Sequence, residues 1–481
     1  MASKQTQPHF TCNLEATPKP FTPHWSHTVG SGHAPLALRA DWQAQLRQSH
    51  HELGFRHVRF HGLLSDDMGT LICHKNELLY SFFNADQIVD FLLDIGMKPF
   101  MELSFMPTTL ASGDKRVFNY AANVTPPADY GQWATLIRKL VRHWVDRYGL
   151  EEVQQWYFEV WNEPNLNSFW TGSQADYFKL YRYTVEAIKG IDPDLRVGGP
   201  ATAKNEWIDA FVNYCEQHDT PADFITTHHY PTDAFGAEGD NTEEQLAKSH
   251  RSVLREQAVQ AQQQAQGRPL YYTEWNSSSN PRDPLHDYPY AAAFIVKTNL
   301  EAIGLVKGYS FWTFSDIFAE NYFPSQPFHG GFGLLNLYGI PKPTYRAYQL
   351  LHELGDELLE VQGAHATVDA WATHRPDRST VLLTNFALPH HPIATEQVHL
   401  ELTRAQVPQS IQIVRIDEDH ANPRRLWEEM GKPNYLNAEQ VAQLQQASEL
   451  HHEPLTVEYR AGKVQLKVTM PPQAVAAVIL K

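Results

Sequence analysis

The fold is indicated by one stretch of the sequence, which reads QWYFEVW at residues 155–161, DYFKLYRYTVEAIK at 176–189 and RVGGP at 196–200. The first and third runs have the length of strands, and the first is rich in aromatic and apolar residues, as buried strands are. The middle run has helical length and amphipathic spacing, and Gly190 follows it where a helix C-cap is expected. The stretch therefore predicts a strand–helix–strand unit of an α/β protein.

The same alternation continues from about residue 25 to residue 350 and gives eight strand candidates. They are Trp25–Val29, His57–His61, Lys98–Phe105, Gln155–Trp161, Arg196–Pro200, Asp223–His229, Leu270–Trp275 and Gly308–Phe314. Helix candidates between them include Ala85–Ile95 and Tyr130–Tyr148, which end at Gly96 and Gly149. Eight strands with interleaved helices predict a (β/α)8 TIM barrel over residues 23–345.

The pattern changes after Pro341 and one further helix to about Glu360, because strands then follow one another without helices between them. The candidates are Ala366–Thr373, Ser379–Ala387, Gln397–Leu402, Ser410–Arg415, Leu455–Arg460, Lys463–Thr469 and Ala474–Leu480. Leu426–Leu450 interrupts them as a helical or irregular insertion, with Asn437 near a helix start. Residues 346–481 are therefore predicted to form an accessory antiparallel β-sandwich.

Composition excludes several classes of protein. Lys and Arg number 39 against 55 Asp and Glu, and the net charge of −16 opposes attraction to nucleic acid or anionic membranes. No apolar run approaches the ~20 residues of a bilayer-spanning helix, and residues 1–10 lack a signal-peptide pattern. Three cysteines without CxxC spacing indicate neither a disulfide framework nor a cysteine-based zinc site. We therefore expect a cytoplasmic protein with no nucleic-acid or membrane partner.

Two glutamates stand where predicted barrel strands end. The fourth strand runs into WNEP at residues 161–164, which contains Glu163, and the seventh ends in TEW at 273–275, which contains Glu274. Chemistry in TIM barrels gathers at the carboxyl ends of the strands. We therefore expect both carboxyl groups to face one cleft.

Glycoside hydrolysis uses such a pair: one carboxylic acid protonates the leaving oxygen, and one carboxylate attacks the sugar. Glu163 is predicted to be the acid/base, because the neighbouring Trp161 favours a neutral carboxyl by desolvation. Asn162 can bond the sugar 2-hydroxyl. Glu274 is predicted to be the nucleophile if the two carboxyl groups lie about 5 to 5.5 Å apart, the separation found in retaining enzymes.

Aromatic residues at strand ends also favour a carbohydrate cleft. Trp161, Trp275 and Trp312 can cover the C–H faces of a sugar, although ordinary barrel packing is the alternative. The HHY sequence at residues 228–230 resembles a metal-ligand cluster, but neighbouring strand residues point to opposite faces and no HExxH helix accompanies it. We therefore predict no catalytic metal and no cofactor.

Residues 156–165 read WYFEVWNEPN, which fits W-x-F-E-x-W-N-E-P-[DN] and resembles the signature of glycoside hydrolase family 39. The similarity extends to RFHG at 59–62, TEWN at 273–276, FWTFSD at 311–316 and FHGGFG at 328–333. Within the family, the chain looks most like the bacterial β-xylosidases. The resemblance implies a barrel with a sandwich that residues 1–22 join, and a retaining mechanism whose acid/base and nucleophile fall on Glu163 and Glu274.

The resemblance also implies a subsite for the sugar that is released. Its residues would be His61, Asn162, Phe169, His228, Tyr230, Trp312 and Glu320. The chain departs from the family pattern at Ala319, where related xylosidases carry a second glutamate, and at Ser279, where they carry a tyrosine. These departures affect one sugar-hydroxyl contact and the hydrogen bonding of Glu274.

Residues and resemblance together predict a retaining exo-glycosidase that removes non-reducing terminal β-D-xylosyl residues from xylo-oligosaccharides. Other specificities on the same machinery stay open, namely α-L-iduronidase, α-L-arabinosidase and β-glucosidase, because these sugars differ by one substituent or stereocentre. An inactive sugar-binding protein is the alternative of a different class. The sandwich offers surface for self-association, so a homo-oligomer is also open.

Overall fold

The computed structural model describes residues 7–231 and 241–481. Its central sheet is a closed barrel of eight parallel strands, in which the eighth strand pairs with the first. In chain order, barrel strands one to eight are Thr28–His33, His57–His61, Lys98–Leu103, Tyr157–Val160, Arg196–Thr202, Phe224–His229, Leu270–Trp275 and Gly308–Phe311. All eight predicted strands are present. The first begins later than predicted, because Trp25 lies in a short 3-10 helix, His24–Ser26.

One main helix follows each barrel strand among the described residues. These helices are Ala40–Leu53, Phe83–Asp94, Tyr130–Tyr148, Gln174–Lys189, Ile208–Gln217, Val253–Gln264, Pro289–Glu301 and Pro343–Glu353. The fourth begins before the predicted Asp176, because Ser173 and Asp176 form a capping box. The alternation of strands and helices confirms the predicted TIM barrel.

Shorter elements lengthen the connecting loops. Two hairpins pair Leu71–His74 with Glu77–Tyr80 and Arg116–Val117 with Ala122–Asn123. Further helical turns are Ala34–Leu38, Asp66–Met68, Thr108–Leu110, Leu150–Val153, Ala203–Asn205, Thr242–Ala247 and Pro284–Asp287. Most of these elements follow the carboxyl ends of barrel strands, where TIM barrels carry their binding residues.

The barrel interior is layered because alternate residues of each strand point inward. The layer near the amino ends is a buried aromatic cluster of Phe100, Tyr157, Phe224 and Tyr271. Two positions further along these strands, the layer is polar and includes Glu102, Glu159 and Thr273, with Arg59 from strand two. The aromatic layer closes the barrel below, and the polar layer faces the end that carries the loops.

The remaining long strands form two sheets of a sandwich. The seven-stranded sheet has the order Lys19–Pro20, Glu357–Leu359, Val368–Arg375, Arg378–Asn385, Ala474–Leu480, Ile411–Ile416 and Glu453–Pro454. The five-stranded sheet has the order Val361–Gln362, His9–Asn13, Glu396–Thr403, Lys463–Met470 and Glu458–Arg460. Within these two sandwich sheets, the pairings between the described strands are antiparallel, except that His9–Asn13 lies parallel to Glu396–Thr403. The predicted sandwich is therefore confirmed, with one parallel pairing that was not predicted.

The N-terminal residues belong to this sandwich through His9–Asn13 and Lys19–Pro20, which pair with C-terminal strands. The limits of the three predicted units, at residues 22/23 and 345/346, stay predictions. Within the described ranges, no helix is both long and apolar enough to cross a membrane.

The predicted insertion contains two helices, Pro423–Glu429 and Ala438–Ala447. The second begins at a capping box whose N-cap is Asn437, as the sequence predicts. Trp427 of the first helix packs into a small buried cluster with Phe328, which lies on the loop after barrel strand eight. The insertion therefore contacts the barrel rather than extending away from it.

Candidate active site

A buried cavity of about 260 Å³ lies at the carboxyl ends of the barrel strands. It is lined by His61, Phe118, Asn162, Glu163, Phe169, Tyr230, Glu274, Ser279, Pro281, Trp312, Glu320, Asn321 and Phe332. Eight of the nine predicted site residues are in this lining, and the ninth, His228, is fully buried against Glu163. A larger groove of about 650 Å³ on the sandwich, lined by residues such as His399 and Lys467, has none of the barrel carboxylates.

The two predicted catalytic glutamates come close together in this cavity. Glu163 lies on the loop after strand four, where its backbone has a φ of 43° and its N–H donates to the carbonyl of Ala201 at 2.8 Å. Glu274 is the penultimate residue of strand seven. One carboxylate oxygen from each lies within 4.8 Å of the other and of a ring nitrogen of His228. This spacing fits the about 5 to 5.5 Å of retaining glycosidases and is below the roughly 6.5–9.5 Å of inverting ones.

Arg59, which was not predicted as a site residue, is the centre of the polar layer. Its guanidinium donates from Nε to Glu159 at 2.5 Å, from Nη1 to Glu274 at 2.7 Å and from Nη2 to Asn162 at 2.9 Å. Nη2 also lies 2.7 Å from Glu102. Burial acts to lower the pKa of Arg59, but the surrounding carboxylates outweigh it and raise the pKa above its ordinary value.

The contact with Arg59 orients Asn162. A guanidinium only donates hydrogen bonds, so the side-chain oxygen of Asn162 must face Arg59. The amide NH2 group therefore turns toward the cavity that Asn162 lines. This is the orientation needed to donate to a sugar hydroxyl.

The carboxylate of Glu274 is held by donors on both oxygens. Arg59 bonds Oε1, and the hydroxyl of Tyr230 donates to Oε2 at 3.0 Å. Burial, followed by the charge of Glu274, raises the pKa of Tyr230 well above its ordinary value, so Tyr230 stays a donor. These contacts fix the direction of the Glu274 carboxyl group.

His61 and Glu102 form a buried ion pair beside the nucleophile candidate. Nδ1 of His61 lies 2.6 Å from Glu102, and Nε2 lies 3.5 Å from both Glu274 and Glu320. Burial acts to lower the pKa of His61, but the carboxylates of Glu102 and Glu274 raise it overall. Burial also raises the pKa of Glu320 to about 8, although His61 opposes this shift. Glu320 therefore presents a neutral carboxyl group to the cavity below that pH.

His228 connects the acid/base candidate to the barrel interior. Its Nδ1 lies 2.9 Å from Glu163 and its Nε2 lies 3.1 Å from the hydroxyl of Thr273. Burial, with the charge of Arg59, lowers the pKa of His228 well below its ordinary value, so the ring is neutral. The neighbouring His229 points outward and bonds Tyr309 at 2.6 Å, which confirms that only one histidine of the pair faces the cleft.

Only one of the three predicted cleft tryptophans lines the cavity. Trp312 does so, and its ring lies 4.8 Å from that of His61. Trp161 packs instead against Trp170 at 5.0 Å, and Trp275 stacks on Tyr309 at 4.3 Å. The expectation for Trp161 and Trp275 is therefore wrong, because both side chains fill space between the strands and the outer helices.

The two departures from the family pattern lie in different surroundings. Ser279 lines the cavity, and its buried hydroxyl has no hydrogen-bond partner among the described residues. Ala319 packs against the apolar core, while its neighbour Glu320 lines the cavity. Glu274 takes its described hydrogen bonds from Arg59 and Tyr230 rather than from position 279.

Sequence reasoning missed the residues beneath the cavity, namely Arg59, Glu102, Glu159 and Thr273. One signal for them was available. Each is a charged or hydroxyl residue inside a predicted barrel strand, and buried charges occur in proteins only when they are paired. Phe118 also lines the cavity but lies in a hairpin turn, where no pattern marked it.

The cluster of Glu163, His228 and Glu274 contains atoms that can also ligate a metal ion. Arg59 already places a fixed positive charge 2.7 Å from Glu274. Of the two carboxylates, Glu274 therefore already has a cation of the protein beside it. The absence of a catalytic metal stays a prediction.

Comparisons with known proteins agree with this geometry. The family model for glycosyl hydrolases family 39 matches residues 10–465. A β-xylosidase of Caldicellulosiruptor saccharolyticus is 49% identical over 465 residues, which cover 95% of this chain and 95% of that protein. A β-xylosidase of Geobacillus stearothermophilus is 38% identical over 447 residues, covering 89% and 86%. The crystal structure of a monomeric β-xylosidase from Caulobacter crescentus CB15 has a TM-score of 0.85 at 32% identity, covering 98% of this chain and 99% of that one.

Proposed function

This chain belongs to glycosyl hydrolases family 39, and on that basis we propose that it is a retaining exo-acting β-xylosidase. Its substrates are xylo-oligosaccharides or other small β-xylosides, from which it releases the non-reducing terminal xylosyl residue. One observation carries the proposal. Two carboxylates at the ends of strands four and seven lie within 4.8 Å of each other in a chain that is similar to β-xylosidases over nearly its full length.

In the first step, Glu274 attacks the anomeric carbon and Glu163 protonates the leaving oxygen. Arg59 and Tyr230 hold the attacking carboxylate in one orientation, so little reorganisation is needed when the bond forms. The products are a covalent xylosyl ester on Glu274 and a free alcohol.

In the second step, Glu163 accepts a proton from water, which attacks the ester from the face that the alcohol has left. Two inversions give net retention of the anomeric configuration. The amide NH2 of Asn162 and the neutral carboxyl of Glu320 are proposed to bind sugar hydroxyls, because both groups line the cavity as donors. Phe169 and Trp312 are proposed to cover the apolar faces of the ring.

The size of the cavity supports exo action. Its volume of about 260 Å³ is below the roughly 300–1,000 Å³ of sites for drug-sized ligands. The aromatic side chains of Phe118 and Phe332 form part of its lining, and we propose that it takes one sugar unit rather than an extended chain. Sugars with an added C5 substituent are expected to fit less well.

The test is a panel of aryl glycosides that share one leaving group and carry β-D-xylose, β-D-glucose, α-L-arabinose or α-L-iduronic acid. The xyloside should have the highest kcat/KM, and proton NMR of early product should show β-xylose before mutarotation. A higher kcat/KM on another sugar would reject the xylosidase assignment. No turnover of any member would favour a sugar-binding protein.

We also propose that the chain works in a reducing compartment such as the cytoplasm. Cys73 is exposed and its thiol is free, as exposed thiols remain where glutathione keeps them reduced. The monomeric relative from Caulobacter crescentus supports a monomer over a homo-oligomer. Cell fractionation and sedimentation at assay concentration test these two statements separately.

A further inference from the structure

A continuous chain of hydrogen bonds leads from the proposed acid/base into the barrel. Glu163 lies 2.9 Å from Nδ1 of His228, and Nε2 of the same ring lies 3.1 Å from the hydroxyl of Thr273. That hydroxyl lies 2.7 Å from Oε1 of Glu159, whose Oε2 accepts from Arg59 at 2.5 Å. All five side chains are buried, and none of the five residues has more than 3% of its surface exposed to solvent.

The direction of the hydrogen bonds in this chain follows from the number of protons available. A threonine hydroxyl has one proton to give, and Glu159, paired with the guanidinium of Arg59, is the acceptor for it. The oxygen of Thr273 must then accept from Nε2–H of His228. A neutral imidazole carries one proton, so Nδ1 is left without one and becomes an acceptor.

The opposite direction is electrostatically unfavourable. It would place a proton on Glu159 beside the cation of Arg59, and it would leave Glu163 ionised within 4.8 Å of Glu274. Burial and the charge of Glu102 raise the pKa of Glu159, but the cation of Arg59 at 2.5 Å and the hydrogen bond from Thr273 favour its ionised form. The other charged or titratable groups facing His228 are Glu274, Arg59, His61 and His229.

We propose that Thr273 is a positioning residue that fixes the Nε2–H tautomer of His228, so that Nδ1 accepts the proton of Glu163. Thr273 does not touch substrate and acts through the ring. The bond stabilises the protonated acid before the first step. It also leaves ionised Glu163 facing an unprotonated nitrogen, which favours return of a proton from water in the second step.

This inference rests on the proposed function and is tested with variants at one position. Thr273→Val has nearly the same shape but lacks the hydroxyl, so His228 becomes free to carry its proton on Nδ1 and donate it to the Glu163 carboxylate. The ionised acid is then stabilised, and the basic limb of the kcat/KM profile should move to lower pH by about one unit. Thr273→Ser keeps the hydroxyl and should restore the limb.

Leaving-group dependence separates this role from a structural one. At neutral pH, Thr273→Val should lower kcat/KM by up to about tenfold for a xyloside with a poor leaving group such as phenol, the largest loss that a one-unit fall in the pKa of the acid can cause. A dinitrophenyl xyloside needs little protonation and should change by less than about threefold. The matched control is Thr227→Val, which removes a buried hydroxyl bonded to the carbonyl of Thr202 and should leave the limb in place. An unshifted limb in Thr273→Val, or equal losses on both substrates, would overturn the proposal.

A measurement without substrate keeps this test independent of the enzyme's specificity. The full-length protein is labelled with 15N-histidine, and NMR signals of the His228 ring are identified as those that disappear from the spectrum of the His228→Asn variant. The nitrogen shifts of this ring should show a protonated Nε2 and a bare Nδ1 in the wild type, and loss of that preference in Thr273→Val. A wild-type ring protonated on Nδ1 would reject the role of Thr273 even if xylosides are hydrolysed. The expected shifts would support it even if they are not.

Discussion

At the scale of single residues, the surroundings of Glu163 and Glu274 differ. Glu274 accepts from Arg59 and Tyr230 on its two oxygens, whereas Glu163 contacts the neutral ring of His228. Donors on both oxygens fix the direction of the Glu274 carboxyl group. This difference fits the proposed roles of Glu274 as nucleophile and Glu163 as acid/base.

Azide rescue tests this division. Glu274→Ala should lose turnover by several orders of magnitude, and azide should occupy the vacated space to give the α-xylosyl azide, with inverted configuration. Glu163→Ala should still form the covalent intermediate from a dinitrophenyl xyloside, and azide should then give the β-xylosyl azide. Proton NMR of the anomeric coupling identifies each product. The opposite pairing of variant and product would show that the two roles are reversed.

Glu320 gives a pH dependence of stability whose sign follows from its pKa. The folded protein holds the proton of Glu320 up to pH of about 8, whereas an ordinary glutamate releases it near pH 4.5. Between these values the folded state binds more protons than the unfolded chain, so a rise in pH destabilises the fold. The contribution of the Glu320 carboxyl group to the free energy of unfolding is fully present below about pH 4.5 and is lost by about pH 8.

Glu320→Gln removes this titration. The free energy of unfolding of the variant relative to the wild type should therefore rise steadily between pH 5 and pH 8, when measured by urea denaturation. Glu439→Gln changes the same side chain at an exposed helix position and serves as the control. A constant difference between Glu320→Gln and wild type over this range would contradict the account.

At the scale of elements, a glycine in barrel strand one leaves room for Trp312, which we propose binds the sugar. A Cβ atom on Gly30 would lie 2.6 Å from Cε3 of Trp312 and 3.0 Å from the carbonyl of Phe311. Glycine at this strand position therefore lets the indole lie flat over strand one. Since Trp312 contacts His61 and lines the cavity, a side chain at position 30 acts on the site without entering it.

Gly30→Ala should lower kcat/KM for an aryl xyloside roughly tenfold to a hundredfold by displacing Trp312. Overpacking should also lower the free energy of unfolding by about 1–3 kcal/mol. Trp312→Phe lacks the atoms that would clash, so Gly30→Ala should have little further effect in that background. Full additivity of the two substitutions would show that Gly30 does not act through Trp312.

Elements were easier to predict from sequence than the contacts between them. Strands two and seven were predicted residue for residue, because turn-forming residues bound these short runs: Gly62 follows strand two and Pro269 precedes strand seven. The two glutamates were predicted because a strand end exposes its polar residues to the cleft. Arg59 was not, since its carboxylate partners Glu159 and Glu274 lie 100 and 215 positions away and only barrel closure brings them together.

At the scale of the whole molecule, the sandwich packs against the helix that follows barrel strand seven, the strand that carries Glu274. The helix Pro289–Glu301, which follows strand seven, is buried on nearly all sides, as expected of a helix between two layers. Phe294 of this helix packs against Phe386 of the sandwich at 5.8 Å. Lys297 lies 3.4 Å from Asp369, also in the sandwich. The two units are therefore joined by apolar packing and by charge.

Arg251 makes the densest polar link across this boundary. From the barrel side, its guanidinium donates to the carbonyls of Phe386 and Thr367 at 2.8 Å and of Ala366 at 2.9 Å, and it pairs with Asp369. Arg251→Ala should lower the free energy of unfolding by about 1–3 kcal/mol, because three backbone carbonyls, two of them partly buried, and Asp369 lose their donor together. The active site is untouched, so kcat/KM at room temperature should stay within about twofold of wild type.

The control is Arg255→Ala, at an exposed position of the adjoining helix. It should change the free energy of unfolding, measured by urea denaturation for both variants, by less than about 0.5 kcal/mol. Equal effects of the two substitutions would show that apolar packing alone holds the sandwich against the barrel.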